Sequence, residues 1–111
     1  TEPISVQDVH FEQINGITTH VTAVKDDILT TVDATGNGRL DAVSNALKKA
    51  YGLDYDLDTY TEHALEKSSS SRAIAYVGLK WPDGKMTWGA GLDPDIIRAS
   101  IDALVTAVNN K

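Results

Sequence analysis

Apolar side chains in the first half of the chain recur first with the period of strands and then with the period of a helix. Strand character, either β-branched or alternating, is found in three segments, residues 4–14, 17–24 and 28–34. Asn15-Gly16 between the first two segments is typical of a two-residue hairpin turn, because that turn needs positive φ at both positions. The apolar stripe of the helix that follows comprises Leu40, Val43, Ala46, Leu47 and Ala50. Gly52 is placed to end this helix.

The same succession of patterns returns in the second half. Strands are predicted for residues 55–65, 73–81 and 86–92, with a turn at 82–85. Alternation places on one face of the first of these strands Tyr55, Leu57, Thr59, Thr61 and His63. Asp93 is expected to cap the second helix, with Pro94 at its first position. The buried face of that helix is expected to comprise Ile96, Ile97, Ile101, Leu104, Val105 and Val108.

The two predicted helices align at an offset of 57 residues. The alignment superposes small residues that would allow close helix packing, Ala42 on Ala99 and Ala46 on Ala103. Because three strand-like segments precede each helix, we predict an α+β fold of two pseudo-symmetric β-β-β-α units packed together. The units are residues 1–52 and 53–111 of one domain.

The composition indicates which classes of protein and partner are compatible with this chain. The chain has 111 residues with 41% hydrophobic and 23% charged content, which is typical of one globular domain. It has no cysteine, which excludes disulfide scaffolds, thiolate zinc sites and cysteine nucleophiles. The net charge of −6 disfavours nucleic acid and anionic lipid as partners. No apolar run approaches the roughly 20 residues that span a bilayer, so we expect no membrane partner. No signal peptide is visible in the first residues. We expect a cytoplasmic protein.

Residues 33–44 partly resemble a calcium-binding loop. Asp33, Thr35, Asn37 and Gly38 occupy the first, third, fifth and sixth positions of an EF-hand pattern. Position twelve is Ser44, where calcium needs a bidentate Glu, and the segment before the loop is predicted to be a strand. A calcium-binding module that uses Asp33 to Asp41 is therefore an alternative that we do not favour.

The same loop, Gly36-Asn37-Gly38, lies where a predicted strand passes into a helix. Glycines allow a ligand to approach the backbone, and the amide N–H groups of a helix N-terminus attract a carboxylate. The loop could therefore hold the carboxylate of an amino acid. A plain tight turn with Asn37 as the helix cap explains the same residues, and the loop alone favours that simpler interpretation.

The sequence contains no set of residues that indicates catalysis. Glu62 and His63 are adjacent on a predicted strand, so their side chains point to opposite faces. His10 and His20 lie on other strands, without the spacing of metal ligands. Residues 68–71 are a serine run without the context of a nucleophile. We therefore predict no catalytic residue and no metal site, and interpret the histidines as structural.

An ordered set of short motifs resembles a known family. The motifs are the loop Gly36-Asn37-Gly38, the stretch from Tyr60 to Leu65 (YTEHAL), Ala75-Tyr76-Val77, Trp88-Gly89-Ala90-Gly91-Leu92, and the helix from Ala99 to Asn109. In this order they resemble the C-terminal regulatory (dimerisation) domain of 2-isopropylmalate synthase. The resemblance extends from about Phe11 to Asn109.

The resemblance implies a regulatory domain and no enzyme in the isolated chain. It implies two β-β-β-α units, a homodimer formed through this domain, and leucine as the small-molecule effector in feedback inhibition of leucine biosynthesis. Condensation of acetyl-CoA with 2-oxoisovalerate belongs to a separate catalytic TIM barrel of the same chain. That barrel would also hold the divalent metal, so no cofactor is expected here.

The resemblance also implies a set of leucine-binding residues. On the first unit they are Gly36, Asn37, Gly38, Leu40 and Asp41. On the second they are Leu57, Tyr60, Ala64, Ser71 and Ala73. The family frequently has Pro after Gly-Asn-Gly, whereas this chain has Arg39. Two further alternatives are a related regulatory domain of a citramalate synthase that senses isoleucine, and a dimerisation domain that has lost its ligand.

Overall fold

Two units with the same order of elements make up the chain, Thr1–Asp54 and Tyr55–Lys111. The computed structural model describes residues 4–13, 16–64 and 73–111, and for Ala64 it describes the backbone alone. Each unit is a three-stranded antiparallel sheet followed by a helix. The predicted α+β fold of two β-β-β-α units is therefore confirmed.

The first unit contains a meander of three strands and one helix. Its elements are β1 (Ser5–Gln13), β2 (Ile17–Lys25), β3 (Ile28–Gly36) and α1 (Arg39–Tyr51). The turn with two positive φ angles lies at Asp26 and Asp27, which have φ of 55° and 61° and join the paired residues Lys25 and Ile28. Asn15 of the predicted turn lies outside the described residues, and its neighbour Gly16 has φ of 115°. Gly52 ends α1 in the left-handed conformation, as predicted.

The second unit repeats this plan. Its elements are β4 (Asp56–Ala64), β5 (Ala73–Lys80), β6 (Met86–Asp93) and α2 (Ile96–Asn109). The prediction that Asp93 caps α2 is wrong. Asp95 is the N-cap, and its carboxylate accepts a hydrogen bond from the Ile97 amide at 2.9 Å. Asp93 instead accepts from the Asp95 amide, so Pro94 precedes the helix.

A β-bulge interrupts the first strand of each unit at the same place. In β1 the register shifts between Val6 and Asp8, so Gln7 is the extra residue. In β4 it shifts between Leu57 and Thr59, so Asp58 is the extra residue. An extra residue reverses the alternation of side chains beyond it. In each first strand, therefore, the side of the sheet faced by odd-numbered residues before the bulge is faced by even-numbered residues after it.

The bulge in β4 corrects the predicted face of this strand. We call the side of each sheet that carries its helix the inner face and the opposite side the outer face. Leu57 pairs with buried Leu79, and Tyr60 pairs with buried Val77, so both lie on the inner face. Thr59, Thr61 and His63 lie on the outer face, and they do not share a face with Leu57 as strict alternation predicted. Glu62 and His63 do lie on opposite faces, as predicted.

The helix of each unit packs over the second and third strands of its sheet. Side chains with almost no exposed surface form the cores, Val21, Val43 and Leu47 in the first unit and Tyr55, Leu79 and Leu104 in the second. In the second unit Trp81 packs against Tyr55 with ring centroids 5.2 Å apart. The helix α2 lies mainly on β6 and β5 and scarcely reaches β4. The inner face of β4 is therefore less covered than the rest of its sheet.

Gly89 and Gly91 let α2 approach β6 at backbone distance. A Cβ atom added to Gly91 would lie 2.0 Å from the carbonyl oxygen of Ala99, and one added to Gly89 would lie 2.2 Å from that of Ala103. Ala99 and Ala103 are themselves fully buried. Small residues on both elements therefore set the distance between helix and sheet.

Substitution of Gly91 by Ala should destabilise the second unit strongly. Because the new methyl would meet backbone atoms of α2, the whole helix must move, and we expect a loss of about 3 kcal/mol or more in the free energy of unfolding. Urea denaturation followed by circular dichroism measures this loss. Ala90→Ser is the matched control, since the exposed Ala90 lies on the outer face of the same strand, and it should change stability by less than about 0.5 kcal/mol. Equal effects of the two substitutions would contradict the close packing.

Candidate functional site

The passage from β3 into α1 leaves several amide N–H groups at the start of the helix without a helical partner. The first intrahelical bond runs from the Ala42 amide to the Gly38 carbonyl oxygen at 3.0 Å. The N–H groups of Arg39, Leu40 and Asp41 precede it, and such first-turn amides have no acceptor within a helix. Gly38 is the N-cap and has no side chain, so the cap itself accepts no hydrogen bond from them. The simple interpretation in which Asn37 caps the helix is therefore wrong.

Asp41 provides a carboxylate beside this loop. Its Oδ2 accepts a hydrogen bond from the Asn37 amide at 3.0 Å. A Cβ atom on Gly36 would lie 2.7 Å from the same oxygen and 2.6 Å from the Ala42 nitrogen, so the first glycine is needed for close packing. The space around Gly38 is open, because no atom lies within 4 Å of a Cβ built there. Gly36 is therefore packed against the first turn of α1, whereas Gly38 faces open space.

The N-terminus of α2 is built differently although it occupies the same place in its unit. There the Asp95 carboxylate accepts the Ile97 amide at 2.9 Å, which satisfies one of the first-turn donors. The partial positive charge of a helix N-terminus is compensated at α2 by this carboxylate. At α1 the cap position holds a glycine, and the carboxylate of the first turn, Asp41, accepts from the Asn37 amide, so the amides of Arg39 and Leu40 are left without a helical acceptor.

The inner face of β4 is the second region that contains predicted site residues. Leu57 is half-buried and Tyr60 is 38% exposed, although both lie on the side that carries the helix. They remain accessible because α2 covers mainly the other two strands. Without the bulge at Asp58 these two side chains would lie on opposite faces. The strand therefore offers an aliphatic and an aromatic side chain next to each other.

Tyr60 links this strand to the first turns of α2. Its hydroxyl donates a short hydrogen bond to Glu62 and lies 2.7 Å from the Ser100 hydroxyl, which also contacts the Ile96 carbonyl oxygen at 2.8 Å. Burial is the main cause that raises the pKa of Tyr60, and the hydrogen bond to Glu62 raises it further. Tyr60 therefore keeps its proton at neutral pH. The two neighbours, Glu62 and Ser100, were not singled out as site residues, because the bulge that places Glu62 beside Tyr60 has no clear signature in the sequence.

The predicted leucine-binding residues divide between the two units. Leu40 and Ala73 are 7% and 6% exposed, so they belong mainly to the cores of their own units. Gly36, Asn37, Gly38 and Asp41 form the loop and the first turn of α1. Leu57, Tyr60 and Ala73 lie on the inner face of the second sheet, and the backbone of Ala64 pairs with Ala73. Ser71 lies outside the described residues.

The outer face of the first sheet carries a cluster of ionisable side chains. His10 and His20 lie directly opposite each other on β1 and β2. His20 Nδ1 is 2.5 Å from Asp33, and its Nε2 is 3.5 Å from Glu12. Because the two carboxylates contact opposite sides of one imidazole ring, they do not converge on a point. Within residues 4–13, 16–64 and 73–111 no three His, Asp or Glu side chains are arranged to hold a metal ion.

Calcium binding by this loop would require the carboxylates of Asp33 and Asp41 to converge on one ion. In the structure Asp33 contacts His20 on the outer face, whereas Asp41 contacts the Asn37 amide at the start of α1. The segment before the loop is the strand β3, and an EF-hand needs a helix there. The geometry of these residues therefore gives the calcium alternative no support.

Among the described residues, no helix has the length and apolar character needed to cross a bilayer.

Comparison with known proteins finds a matching family model and similar proteins. Residues 2–111 match the family model described as the LeuA allosteric (dimerisation) domain. The chain is 42% identical to a 2-isopropylmalate synthase of Desulfitobacterium hafniense over 107 residues, which is 96% of the chain and 19% of that protein. It is 40% identical to a 2-isopropylmalate synthase of Helicobacter hepaticus over 115 residues, again 96% of the chain and 20% of that protein. The chain thus spans about a fifth of the length of these relatives.

Replacement of Asp33 by Asn should lower the pKa of His20. Hydrogen bonds to Asp33 and then to Glu12 raise the pKa of this histidine in the folded protein above its ordinary value of about 6.5. A raised pKa stabilises the fold below about pH 6.5, and this contribution is lost as the pH rises through the folded value. NMR titration of the His20 ring measures the change, and Thr35→Ala on the same face of β3 is the control. An unchanged His20 pKa in the Asp33→Asn variant would contradict the assignment of its cause.

Proposed function

The chain belongs to the family of LeuA allosteric (dimerisation) domains, and on this basis we propose that it is the leucine-binding feedback domain of a 2-isopropylmalate synthase. The observation that carries the proposal is the family match over residues 2–111 together with an uncapped N-terminus of α1. The domain acts as a cytoplasmic homodimer. It is a regulatory part and has no catalytic residue of its own.

The enzyme that the domain serves is inferred from its relatives. Since the chain spans about a fifth of their length, the catalytic part belongs to the remaining four fifths. The proposed parent condenses acetyl-CoA with 2-oxoisovalerate in a TIM barrel that also holds the divalent metal. The barrel needs at least about 200 residues, which a chain of this length cannot supply.

We place the carboxylate of leucine at the start of α1. The first-turn amides of Arg39 and Leu40 have no helical acceptor, and the helix dipole favours a negative charge there. The open space at Gly38 leaves room for the ligand. Asp41 already contacts the Asn37 amide, so the incoming carboxylate uses the amides that follow Asn37 along the chain.

On the second unit, the apolar residues that the resemblance implies for leucine binding include Leu57 and Tyr60, the most accessible among those described. An isobutyl group placed on such side chains leaves water and is stabilised by about 0.8 kcal/mol for each buried CH₂ equivalent. The bound amino acid regulates the enzyme only if its affinity differs between two arrangements of the parent protein. A coupling of about 1–3 kcal/mol is typical.

Leucine should stabilise the purified chain against thermal unfolding, more than isoleucine does. At 100 times its dissociation constant a ligand adds about 2.7 kcal/mol to the free energy of unfolding, which shifts the midpoint by several degrees in a protein of this size. Gly38→Asp should abolish this shift, because the new carboxylate occupies the first-turn amides in place of the ligand. The variant itself should be as stable as the parent or slightly more so, since Asp is a favourable N-cap residue.

One control makes this prediction specific. Thr31→Asp adds the same charge on the outer face of the first sheet and should keep the response to leucine. Gly36→Asp is a poorer test, because any side chain at Gly36 meets the backbone of α1 and unfolding would hide the effect on binding. A leucine response that survives in Gly38→Asp would reject the site at α1. A larger response to isoleucine than to leucine would favour the citramalate synthase alternative.

A further inference from the structure

Asn37 and Gly38 form an Asn-Gly pair between the end of β3 and the start of α1. Asparagine is a chemically labile residue, because a neighbouring backbone nitrogen can attack its side-chain amide. When the next residue is glycine, no Cβ atom hinders that nitrogen, and the attack on Cγ of the asparagine closes a five-membered succinimide ring. In a folded protein the reaction requires that both the asparagine side chain and the following amide are free to move.

The side-chain amide of Asn37 is not held by any hydrogen bond within the described residues. Asn37 is exposed, and its one described contact is the hydrogen bond from its backbone amide to Asp41 Oδ2 at 3.0 Å. Asn45 and Asn110, by contrast, each donate from Nδ2 to a backbone carbonyl oxygen, at 2.8 Å and 2.6 Å. Neither of these two asparagines is followed by glycine. Among these three asparagines, Asn37 is therefore the one best suited to react.

The attacking nitrogen, that of Gly38, is also accessible. Gly38 lies outside both β3 and α1, and no hydrogen bond in the described part of the chain uses its N–H group. No atom lies within 4 Å of a Cβ built on Gly38, so neighbouring side chains leave room for the ring. The reaction passes through negatively charged nitrogen and oxygen atoms, which the positive end of the α1 dipole stabilises.

The reaction consumes one water molecule and releases ammonia. The bond between the Gly38 nitrogen and Cγ of Asn37 forms, the bond from Cγ to Nδ2 breaks, and the Gly38 amide proton leaves with the ammonia. Water then opens the ring at one of its two carbonyl carbons. Opening at Cγ leaves aspartate at position 37, whereas opening at the backbone carbonyl carbon leaves isoaspartate, whose main chain is longer by one CH₂ group. Both products carry a carboxylate in place of a neutral amide.

We propose that Asn37 is a site of spontaneous deamidation and that the new carboxylate weakens the binding of leucine to this domain. The second part rests on the proposed function, because the charge arises next to the amides of Arg39 and Leu40, where the carboxylate of leucine is placed. Like charges repel there, and isoaspartate also lengthens the loop. Since the reaction is intramolecular and needs only water, the loss of feedback follows the age of the protein molecule.

Peptide mapping of the 111-residue chain tests the modification. The folded chain is incubated in mildly alkaline buffer and cleaved with trypsin, and a sample cleaved without incubation is the baseline. Trypsin separates Asn37, in residues 26–39, from the other asparagines, in residues 1–25, 40–48 and 99–111. Deamidation adds one mass unit, and the peptide of residues 26–39 should gain it about 10-fold faster than those of residues 40–48 and 99–111.

Gly38→Ala is the matched variant for the rate. Its Cβ atom meets open space, and the φ of −150° at Gly38 suits alanine, so the variant should fold. The added methyl hinders the attacking nitrogen, and the gain of mass in residues 26–39 should be about 10-fold slower. An unchanged mass of this peptide in the aged, folded parent chain would overturn the modification. Equal rates in the parent and in Gly38→Ala would overturn it as well.

Thermal unfolding in the presence of leucine tests the consequence. Asn37→Asp reproduces the charge of one product, and both this variant and the aged chain should lose at least half of the leucine-induced shift of the fresh parent. Thr31→Asp adds the same charge on the outer face and should keep the shift. A full shift in Asn37→Asp and in the aged chain overturns the consequence and leaves the modification standing. A fresh parent that leucine does not stabilise overturns the proposed function and the consequence together, while the peptide masses decide the modification independently.

Discussion

The bulge in the first strand of each unit determines which side chains reach the helix. Gln7 in β1 and Asp58 in β4 are the extra residues, and each reverses the alternation of the strand that follows. Because of the bulge in β4, Leu57 and Tyr60 lie on the same inner face, next to a part of the sheet that α2 leaves exposed. A strand with regular alternation would have moved one of them to the outer face. The candidate ligand surface of the second unit therefore depends on this one irregularity.

The two units share one backbone plan but carry different side chains at equivalent positions. The helix α2 is capped by Asp95, whereas α1 begins at a glycine that offers no cap. The outer face of the first sheet is polar, with His20 between Asp33 and Glu12, whereas that of the second sheet presents Tyr76, Trp88 and Leu92. The two units therefore share one backbone plan but differ at the start of the helix and on the outer face of the sheet.

The order of elements could be predicted from the sequence because periodicity and glycine positions report it directly. The structure confirms the end of α1 at Gly52 and buries Leu40, Val43, Ala46 and Leu47 of α1, as predicted. On α2 it buries Ile101, Leu104 and Val108, whereas the predicted Ile96, Ile97 and Val105 are only half-buried. The bulges at Gln7 and Asp58 were not predicted, since an extra residue in a polar stretch resembles ordinary imperfect alternation. The sequence predicts the cap of α2 at Asp93, because Pro94 favours the first position of a helix. In the structure Asp95 caps the helix, and Asp93 accepts from the Asp95 amide. The leucine-binding residues came from family resemblance and stay a prediction.

The central claim is that backbone amides at the start of α1 bind the carboxylate of leucine. The most direct measurement is a titration of the isotopically labelled chain with leucine, followed through the amide resonances of Gly38, Arg39 and Leu40. The account predicts large, saturable shifts at Arg39 and Leu40, and none at the capped start of α2 near Ile97. Saturable shifts elsewhere with unmoved Arg39 and Leu40 resonances would contradict it, as would a titration that leaves the whole spectrum unchanged.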